Sequence, residues 1–213
     1  MKKLGLDVTE LSPDDDYPDS TFVEDTAVLL SPCVIVSNPG AESRRGEINS
    51  VEQLLKKKFI EKDGNGFISI VSLDGKIIQE KWVTGLNAPK GLALHGRTLY
   101  TADIDELVAI DINSGRITNK FKVNDAKFLN DVTVSENGDV YVSDMMLNRI
   151  HLLTEDSFTI WLEDKKLESP NGLLLLEDDI ILGSWGKMTD GFATKVAGHL
   201  KRISIKDKTI QSI

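Results

Sequence analysis

The fold of this chain is decided by Leu129-Asn130-Asp131-Val132-Thr133-Val134 and by the Gly138-Asp139-Val140-Tyr141-Val142-Ser143-Asp144 that follows it. Apolar and polar residues alternate in the second segment, as at Val140 and Val142, which is typical of a β-strand with one buried face. Apolar residues do not recur there at the three- and four-residue spacing of a helix. The two segments therefore predict short strands, and both have counterparts elsewhere in the chain.

Three sequence markers recur in step along the second part of the chain. The first is Pro89-Lys90-Gly91-Leu92, Leu129-Asn130-Asp131-Val132 and Pro170-Asn171-Gly172-Leu173, at intervals of 40 and 41 residues. The second is Tyr100-Thr101-Ala102-Asp103, Tyr141-Val142-Ser143-Asp144 and Ile181-Leu182-Gly183-Ser184. The third is a strand–turn–strand unit at 71–77, 110–117 and 203–210. Three markers in register indicate an internal repeat of about 40 residues.

A repeat of this length with four short strands and no helical pattern is typical of a β-propeller blade. The markers predict blades at 87–126, 127–168 and 169–213, preceded by the outer half of another blade at 66–84. The predicted fold is therefore mainly β, a partial β-propeller of about three and a half four-stranded blades. A closed propeller needs about four to eight blades. We therefore expect open propeller ends that favour self-association.

The first 58 residues have a different character. Two short apolar runs, Thr26–Leu30 and Cys33–Ser37, predict buried strands joined at Ser31-Pro32. Apolar residues at helical spacing between 48 and 55, followed by three lysines, predict a helix that ends near residue 58. The predicted organisation is a short strand–strand–helix (ββα) segment at 1–58 and a propeller segment at 59–213.

The composition is that of an acidic globular protein. Lys and Arg number 25 against 34 Asp and Glu, so the formal net charge is −9. Such a chain has no global field that attracts nucleic acid or an anionic membrane, and no apolar run approaches the ~20 residues that span a bilayer. The single cysteine, Cys33, excludes an internal disulfide and a multi-cysteine metal site. We expect a soluble cytoplasmic protein without nucleic-acid or membrane partners.

Residues 61–213 resemble the gluconolactonase/regucalcin (senescence-marker protein) family of six-bladed propellers. The resemblance is carried by the segments 129–134 and 138–144 and by Ser169-Pro170-Asn171-Gly172-Leu173. It implies one divalent cation, calcium or zinc, on the propeller axis, with Asn130 and Asn171 at the positions of two amide ligands. The Glu and the Asp that complete the family's site belong to blades outside this match. Because hard cations favour carboxylates, we expect weak metal binding or none.

Residues 16–47 resemble dimethylarginine dimethylaminohydrolase, a pentein-fold enzyme, over the first of its modules. The resemblance rests on the segments 16–28 and 38–47. It implies two acids that face a guanidinium group and two residues that meet the amino-acid end of a substituted arginine. These are, in that order, Glu24 and Asp25, and Asp19 and Arg44. The chemistry agrees, since carboxylates suit a planar cation and an Arg fork suits a carboxylate.

That family attacks the guanidinium carbon with a cysteine thiolate assisted by a histidine. Cys33 lies within a predicted strand and not at the family's nucleophile position, and we interpret it as a small buried apolar residue. The histidines, His95, His151 and His199, all belong to the propeller segment. We therefore assign no catalytic residue and expect no dimethylargininase activity.

Several other polar residues of the propeller segment have structural interpretations. Asp103 and Asp144 end equivalent strands, where they either approach the axis or cap turns, and capping is the preferred interpretation. The alternation around His151 favours a non-catalytic residue within a sheet. The long segment that begins at Trp185 and extends to His199 is predicted to be a loop, and long blade loops often bind ligands.

The sequence leaves three functions open. The first is a gluconolactonase-like propeller that hydrolyses a lactone with a divalent metal, or binds a small molecule, and that is impaired by missing blades. The second is a dimethylargininase-type hydrolase without its Cys and His. The third is an inactive product of fusion and truncation, or an interaction module. If the chain is an enzyme, the longer resemblance favours a metal-dependent lactonase-type hydrolase.

Overall fold

The computed structural model describes residues 62–155, 157–189 and 192–213, together with the backbone of residues 27–29 and 34–36. The chain divides into two compact units, Met1–Glu61 and Lys62–Ile213. In the first unit, β1 (Ala27–Leu29) and β2 (Val34–Val36) form an antiparallel pair. Both strands lie inside the predicted apolar runs, which confirms those two strands. Cys33 and the predicted helix that ends near residue 58 lie outside the described residues.

The second unit consists of β-strands. Its first sheet has two strands, β3 (Gly66–Val71) and β4 (Ile77–Leu86). Three antiparallel sheets follow, each formed by four strands that are consecutive in sequence. The strands of these sheets are β5 (Pro89–His95), β6 (Thr98–Asp103), β7 (Glu106–Asp111), β8 (Arg116–Lys122), β9 (Leu129–Val134), β10 (Val140–Asp144), β11 (Arg149–Thr154), β12 (Ser157–Glu163), β13 (Pro170–Leu176), β14 (Asp179–Ser184), β15 (Leu200–Ser204) and β16 (Ile210–Ser212).

This consecutive strand order is that of propeller blades, which we number first (β5–β8), second (β9–β12) and third (β13–β16). The opening strand of each blade is its inner strand, and β9 contacts both β5 and β13. The predicted partial propeller is confirmed, including the half blade formed by β3 and β4. A 3₁₀ turn at Lys165–Leu167 joins the second blade to the third. The described part of the chain holds no helix with the length and apolarity needed to cross a bilayer.

Apolar side chains pack between successive blades. The space between the first and second blades is filled by Ala102, Leu107, Val123, Leu129, Val132, Val140, Val142 and Leu153. The space between the second and third is filled by Tyr141, Ile150, Trp161, Leu167, Leu173, Ile180, Leu182 and Ile203. Burial of one such side chain contributes about 1.5–3 kcal/mol. The blades are therefore held together mainly by face-to-face packing, which fixes the register of their inner strands.

Two acids cap the loops that lead into the inner strands. Asp103, at the end of β6, accepts hydrogen bonds from the backbone N–H groups of Asn87 and Ala88 at 2.8 and 2.6 Å. Asp144, at the end of β10, accepts equivalent bonds at 2.9 and 3.2 Å from the two N–H groups that precede β9. Both side chains are fully buried. Their capping interpretation therefore agrees with the structure, and it accounts for the recurrence of Asp at this point of the repeat.

Candidate functional site

Three equivalent polar residues lie near the start of the inner strands. Lys90 is the second residue of β5, Asn130 the second of β9 and Asn171 the second of β13. All three are partly exposed. We call them the axial row. Asn130 and Asn171 thus occupy equivalent positions on adjacent blades, and Lys90 is their counterpart on the first blade.

The Lys90 ammonium lies in a partly buried environment formed by two blades. Its Nζ donates a hydrogen bond to the carbonyl oxygen of Ala88 at 2.8 Å. It also lies 4.4 Å from the centroid of the Phe128 ring, at the entrance to the second blade. Burial lowers the pKa of Lys90 to about 8, against the smaller opposing effect of the Asp103 charge. An amine of this kind carries a substantial neutral fraction at physiological pH.

Aromatic residues extend this environment toward the third blade. The Phe128 ring packs against Phe192 with a centroid distance of 5.2 Å. Phe192 belongs to the connection between β14 and β15, whose first residue, Trp185, donates from Nε1 to the Phe192 carbonyl oxygen at 2.8 Å. The Trp185 side chain is partly exposed. The loop predicted from Trp185 onward therefore does bring aromatic surface to the row that begins with Lys90.

The donor set of the axial row does not fit a divalent cation. Asn130 and Asn171 offer neutral amide oxygens, and the Asn130 amide donates from Nδ2 to Met145 Sδ at 3.5 Å. The third member of the row is an ammonium, which repels a metal ion. No group of three His, Cys, Asp or Glu side chains is placed to hold a metal within the described ranges. Calcium and zinc sites need charged or strongly donating ligands, and these residues supply none.

Asp131 follows Asn130 in sequence but contributes to the boundary between blades. Its Oδ2 accepts a hydrogen bond from the backbone N–H of Leu173, on the third blade, at 2.7 Å. Gly91, on the first blade, lies so close that a Cβ at that position would stand 2.6 Å from the Asp131 Cα. Burial raises the pKa of Asp131, although the Leu173 and Val132 N–H groups lower it in part. Asp131 therefore links all three inner strands.

Two other buried ionisable groups lie away from the axial row. His151 on β11 is 2% exposed, and its Nε2 lies 3.9 Å from Asp144 Oδ2, which is beyond hydrogen-bond distance. At the equivalent position of the third blade, Lys201 binds Glu168 Oε2 at 2.7 Å. Both groups are enclosed within the stack of sheets, as predicted for His151. They lack the exposure that contact with a ligand requires.

Short stretches of two known enzymes match part of the sequence. The chain is 48% identical over 59 residues to the dimethylarginine dimethylaminohydrolase of Pseudomonas aeruginosa, covering 28% of this chain and 23% of the relative. It is 43% identical over 53 residues to the enzyme of the same name from Streptomyces coelicolor, covering 25% of this chain and 20% of the relative. The chain thus spans about a quarter of the length of these curated relatives. No protein-family model matches it.

Solved structures match the other part in fold. The virginiamycin B lyase of Staphylococcus aureus aligns with 72% of this chain and 50% of its own, at a TM-score of 0.53 and 19% identity. A chain of a nidogen/laminin complex aligns over 68% of this chain and 56% of its own length, at a TM-score of 0.54 and 11% identity. A Xanthomonas campestris gluconolactonase aligns with 59% of this chain and 46% of its own, at a TM-score of 0.49 and 17% identity. The described blades have a β-propeller fold. This chain spans about half of each solved chain.

The structure describes only one of the two predicted sets of site residues. Asn130 and Asn171 are brought to equivalent places. The four residues around the implied arginine substrate lie outside the described residues; these are Asp19, Glu24, Asp25 and Arg44. Lys90 was not among the candidate site residues predicted from the sequence. The signal was present, because the repeat aligns Lys90 with the two asparagines, but its partial burial against Phe128 depends on tertiary packing.

Proposed function

We propose that the propeller unit binds a small molecule of the lactone class at the axial row. The observation that carries this proposal is the equivalent placement of Lys90, Asn130 and Asn171 on adjacent inner strands, together with the contact of the Lys90 ammonium with the buried Phe128 ring, on which the partly exposed Phe192 packs. The resemblance of residues 61–213 to gluconolactonase-type proteins supports a lactone as the ligand. An ammonium and amide N–H groups are hydrogen-bond donors that suit a lactone carbonyl and its hydroxyl groups.

Ring opening of the bound lactone is the activity that fits this ligand class. Donors that face the carbonyl oxygen stabilise the negative charge that develops there when water attacks. Lys90 is a charged donor below its pKa of about 8, and a charged donor makes the stronger hydrogen bond to an oxyanion. Because the described donor set does not fit a divalent cation, this proposal assigns no step to a metal.

The proposal is tested by calorimetric titration of the chain with an aldonolactone, followed by acid release at constant pH. We expect saturable binding that Asn130→Ala or Asn171→Ala weakens by about tenfold, the loss of roughly one hydrogen bond. Asn119→Ala is the matched control, because Asn119 is exposed on the outer strand β8. Equal affinity in all of these variants would disprove the site. Chelation is expected to leave lactone binding unchanged, and a requirement for calcium or zinc would contradict a site built from the described donors alone.

A second function is favoured by the 48% identity to a dimethylarginine dimethylaminohydrolase over 59 residues. We propose that the N-terminal segment retains affinity for a guanidinium compound through Glu24 and Asp25. Titration with methylated arginine tests this separately from the lactone experiment. A charge-reversing Glu24→Lys variant should abolish binding, because two like charges then face each other. Unchanged affinity in that variant would refute the assignment.

A further inference from the structure

We propose that Lys90 is a reactive amine that condenses with a carbonyl compound to form an imine at the axial row. This inference rests on the proposed ligand site and adds a second ligand class to it, molecules with an aldehyde or ketone group such as the open forms of sugars. It begins from the repeat. The sequence places Asn at this position in the second and third blades and a primary amine in the first.

Lys90 combines partial burial with contacts that include no carboxylate. Lys208 has similar contacts, with its Nζ 2.7 Å from the Trp161 carbonyl oxygen and 5.6 Å from the Trp161 ring centroid, but its side chain is exposed. Lys201 is also buried, but its Nζ is paired with the Glu168 carboxylate at 2.7 Å. Lys90 makes no ion pair with any described residue, and its Nζ contacts a carbonyl oxygen and an aromatic ring. A carboxylate partner fixes the charge of a lysine. Lys90 therefore combines burial with the absence of such a partner in the described part of the chain.

This environment favours the nucleophilic form of the amine. Burial lowers the pKa of Lys90 to about 8, while Asp103 acts in the opposite direction. The Phe128 ring also opposes deprotonation, since its face attracts the ammonium. Each unit by which an amine pKa falls raises its neutral fraction near neutral pH about tenfold. Lysines that form Schiff bases in enzymes are activated by desolvation of this kind.

The reaction balances without a further reactant. The neutral Nζ forms a bond to the carbonyl carbon as the C=O π bond opens, and one of the two amine protons passes to the oxygen to give a neutral carbinolamine. The oxygen then leaves as water together with a proton from the nitrogen, and a C=N bond remains. The amide groups of Asn130 and Asn171, at the equivalent positions of the next two blades, are the groups to which we assign the departing hydroxyl group. The partly exposed Phe192, packed against the buried Phe128 ring, offers apolar surface to the body of the ligand.

Reductive trapping with pyridoxal as the carbonyl probe tests the proposal on the full chain. The protein is incubated with pyridoxal and cyanoborohydride at neutral pH. Peptide mass spectrometry then identifies the labelled lysines and measures the rate of labelling at each. We expect Lys90 to be labelled about tenfold faster than Lys122, an exposed lysine of the same blade. Lys201 is the buried, carboxylate-paired reference and should be labelled slowest. Labelling of Lys90 no faster than Lys122 would overturn the proposal.

Lys90→Arg supplies the matched variant, because it keeps a cation on Phe128 but offers no amine that deprotonates at neutral pH. The rapid phase of labelling should disappear in this variant while the Lys122 rate is unchanged, with the fold checked by circular dichroism. A rapid phase that persists would assign it to another lysine and refute the proposal. Because the measurement on the unsubstituted chain needs no lactone, rapid Lys90 labelling without lactone binding would reject the proposed function alone.

Discussion

Asp131 accepts a hydrogen bond at 2.7 Å from the backbone N–H of Leu173, across the boundary between the second and third blades. The neighbouring Thr133 does the same for Leu175 at 3.1 Å. These bonds satisfy N–H groups of β13 that its pairing with β14 leaves free on the other edge. An inner strand of a propeller has one such edge, and an unsatisfied buried N–H costs about 1–3 kcal/mol. The side chains of β9 thus replace part of a sheet ladder between blades.

Gly91→Ala should destabilise the chain far more than Gly172→Ala. The two glycines are equivalent in the repeat, but a Cβ at Gly91 would stand 2.6 Å from the Asp131 Cα, whereas one at Gly172 meets only Asp131 Oδ2 at 3.8 Å. Overpacking against backbone costs about 1–3 kcal/mol or more, and ordinary contact costs little. Urea unfolding of both variants measures the difference. Equal midpoints would show that the inner strands separate freely.

Asp131→Asn should stabilise the protein at neutral pH, and Asp131→Ala should destabilise it. Asparagine keeps an oxygen that accepts from Leu173 and removes a buried charge, whereas alanine leaves that N–H without its partner. The folded pKa is raised above 3.8, so the carboxyl contributes most stability below 3.8 and loses it as pH rises through the folded value. We expect a gain of about 1 kcal/mol or less for Asn, given partial exposure.

Urea unfolding at several pH values tests the direction in which the stability contributed by Asp131 changes with pH. The free-energy difference between Asp131→Asn and the unsubstituted chain should be smallest at acid pH and should grow as pH rises. Other groups titrate equally in both proteins, so the difference isolates Asp131. A difference that shrinks with rising pH would show that the ionised carboxylate is the better partner for Leu173.

The blades and their boundaries were predictable from the sequence because alternating side chains and turn residues define the repeat. These features act locally along the chain. The pairing of Asp103 and Asp144 with loop N–H groups followed from their position at strand ends. Lys90 shows why prediction stopped short of the site. Its residue type was visible in the first marker, yet it is partly buried beside Phe128, which is 38 residues further along the chain. Such an environment is created by packing and has no local signature.

The buried pair of Asp144 and His151 should respond unequally to substitution. Asp144→Ala should cost about 3 kcal/mol, because the N–H groups of Lys127 and Phe128 lose their acceptor inside the protein. His151→Leu should cost less than Asp144→Ala, since Nε2 makes no hydrogen bond among the described residues and His151 supports Asp144 only by its proximity. Chemical denaturation of both variants measures this. A large loss for His151→Leu would reveal a hydrogen-bonded role.

The pH dependence of the same pair has the opposite sign to that of Asp131. Burial raises the pKa of Asp144, but His151 and the N–H groups of Lys127 and Phe128 together outweigh burial, and the pKa is lowered. The stability that Asp144 contributes is therefore present above 3.8 and is lost as pH falls through the lower folded value. The stability difference between the unsubstituted chain and Asp144→Ala should accordingly narrow in acid. A constant difference would contradict this linkage.

Methylated arginine should not be hydrolysed by this chain. The N-terminal segment offers Glu24 and Asp25 for binding, but Cys33 falls within a strand of the sequence pattern and has no histidine nearby in the sequence. Without a thiolate and an imidazole there is no covalent intermediate. Citrulline release by the purified protein, with and without a thiol-alkylating reagent, measures this. Turnover that alkylation removes would show that Cys33 acts as the nucleophile.

Self-association is expected through the uncovered face of the third blade. Leu174 and Leu176 on its inner strand β13 are 60% and 50% exposed, and no described residue covers them. Leu92 and Leu94 on β5 are likewise exposed. Blades bury such faces against a neighbouring sheet, and contiguous exposed leucines favour association. A second copy packed on the uncovered β13 face would bury Leu174 and Leu176, as successive blades do within the chain.

Light scattering over a dilution series tests this expectation. The unsubstituted chain should show a dimer or larger species that dissociates on dilution, and Leu174→Lys should shift it toward monomer at every concentration. Leu73→Lys is the matched control, since Leu73 is fully exposed on the turn between β3 and β4, away from the blade faces. A single monomeric species at high concentration, with no binding of an apolar dye, would mean that another segment of the chain covers these leucines.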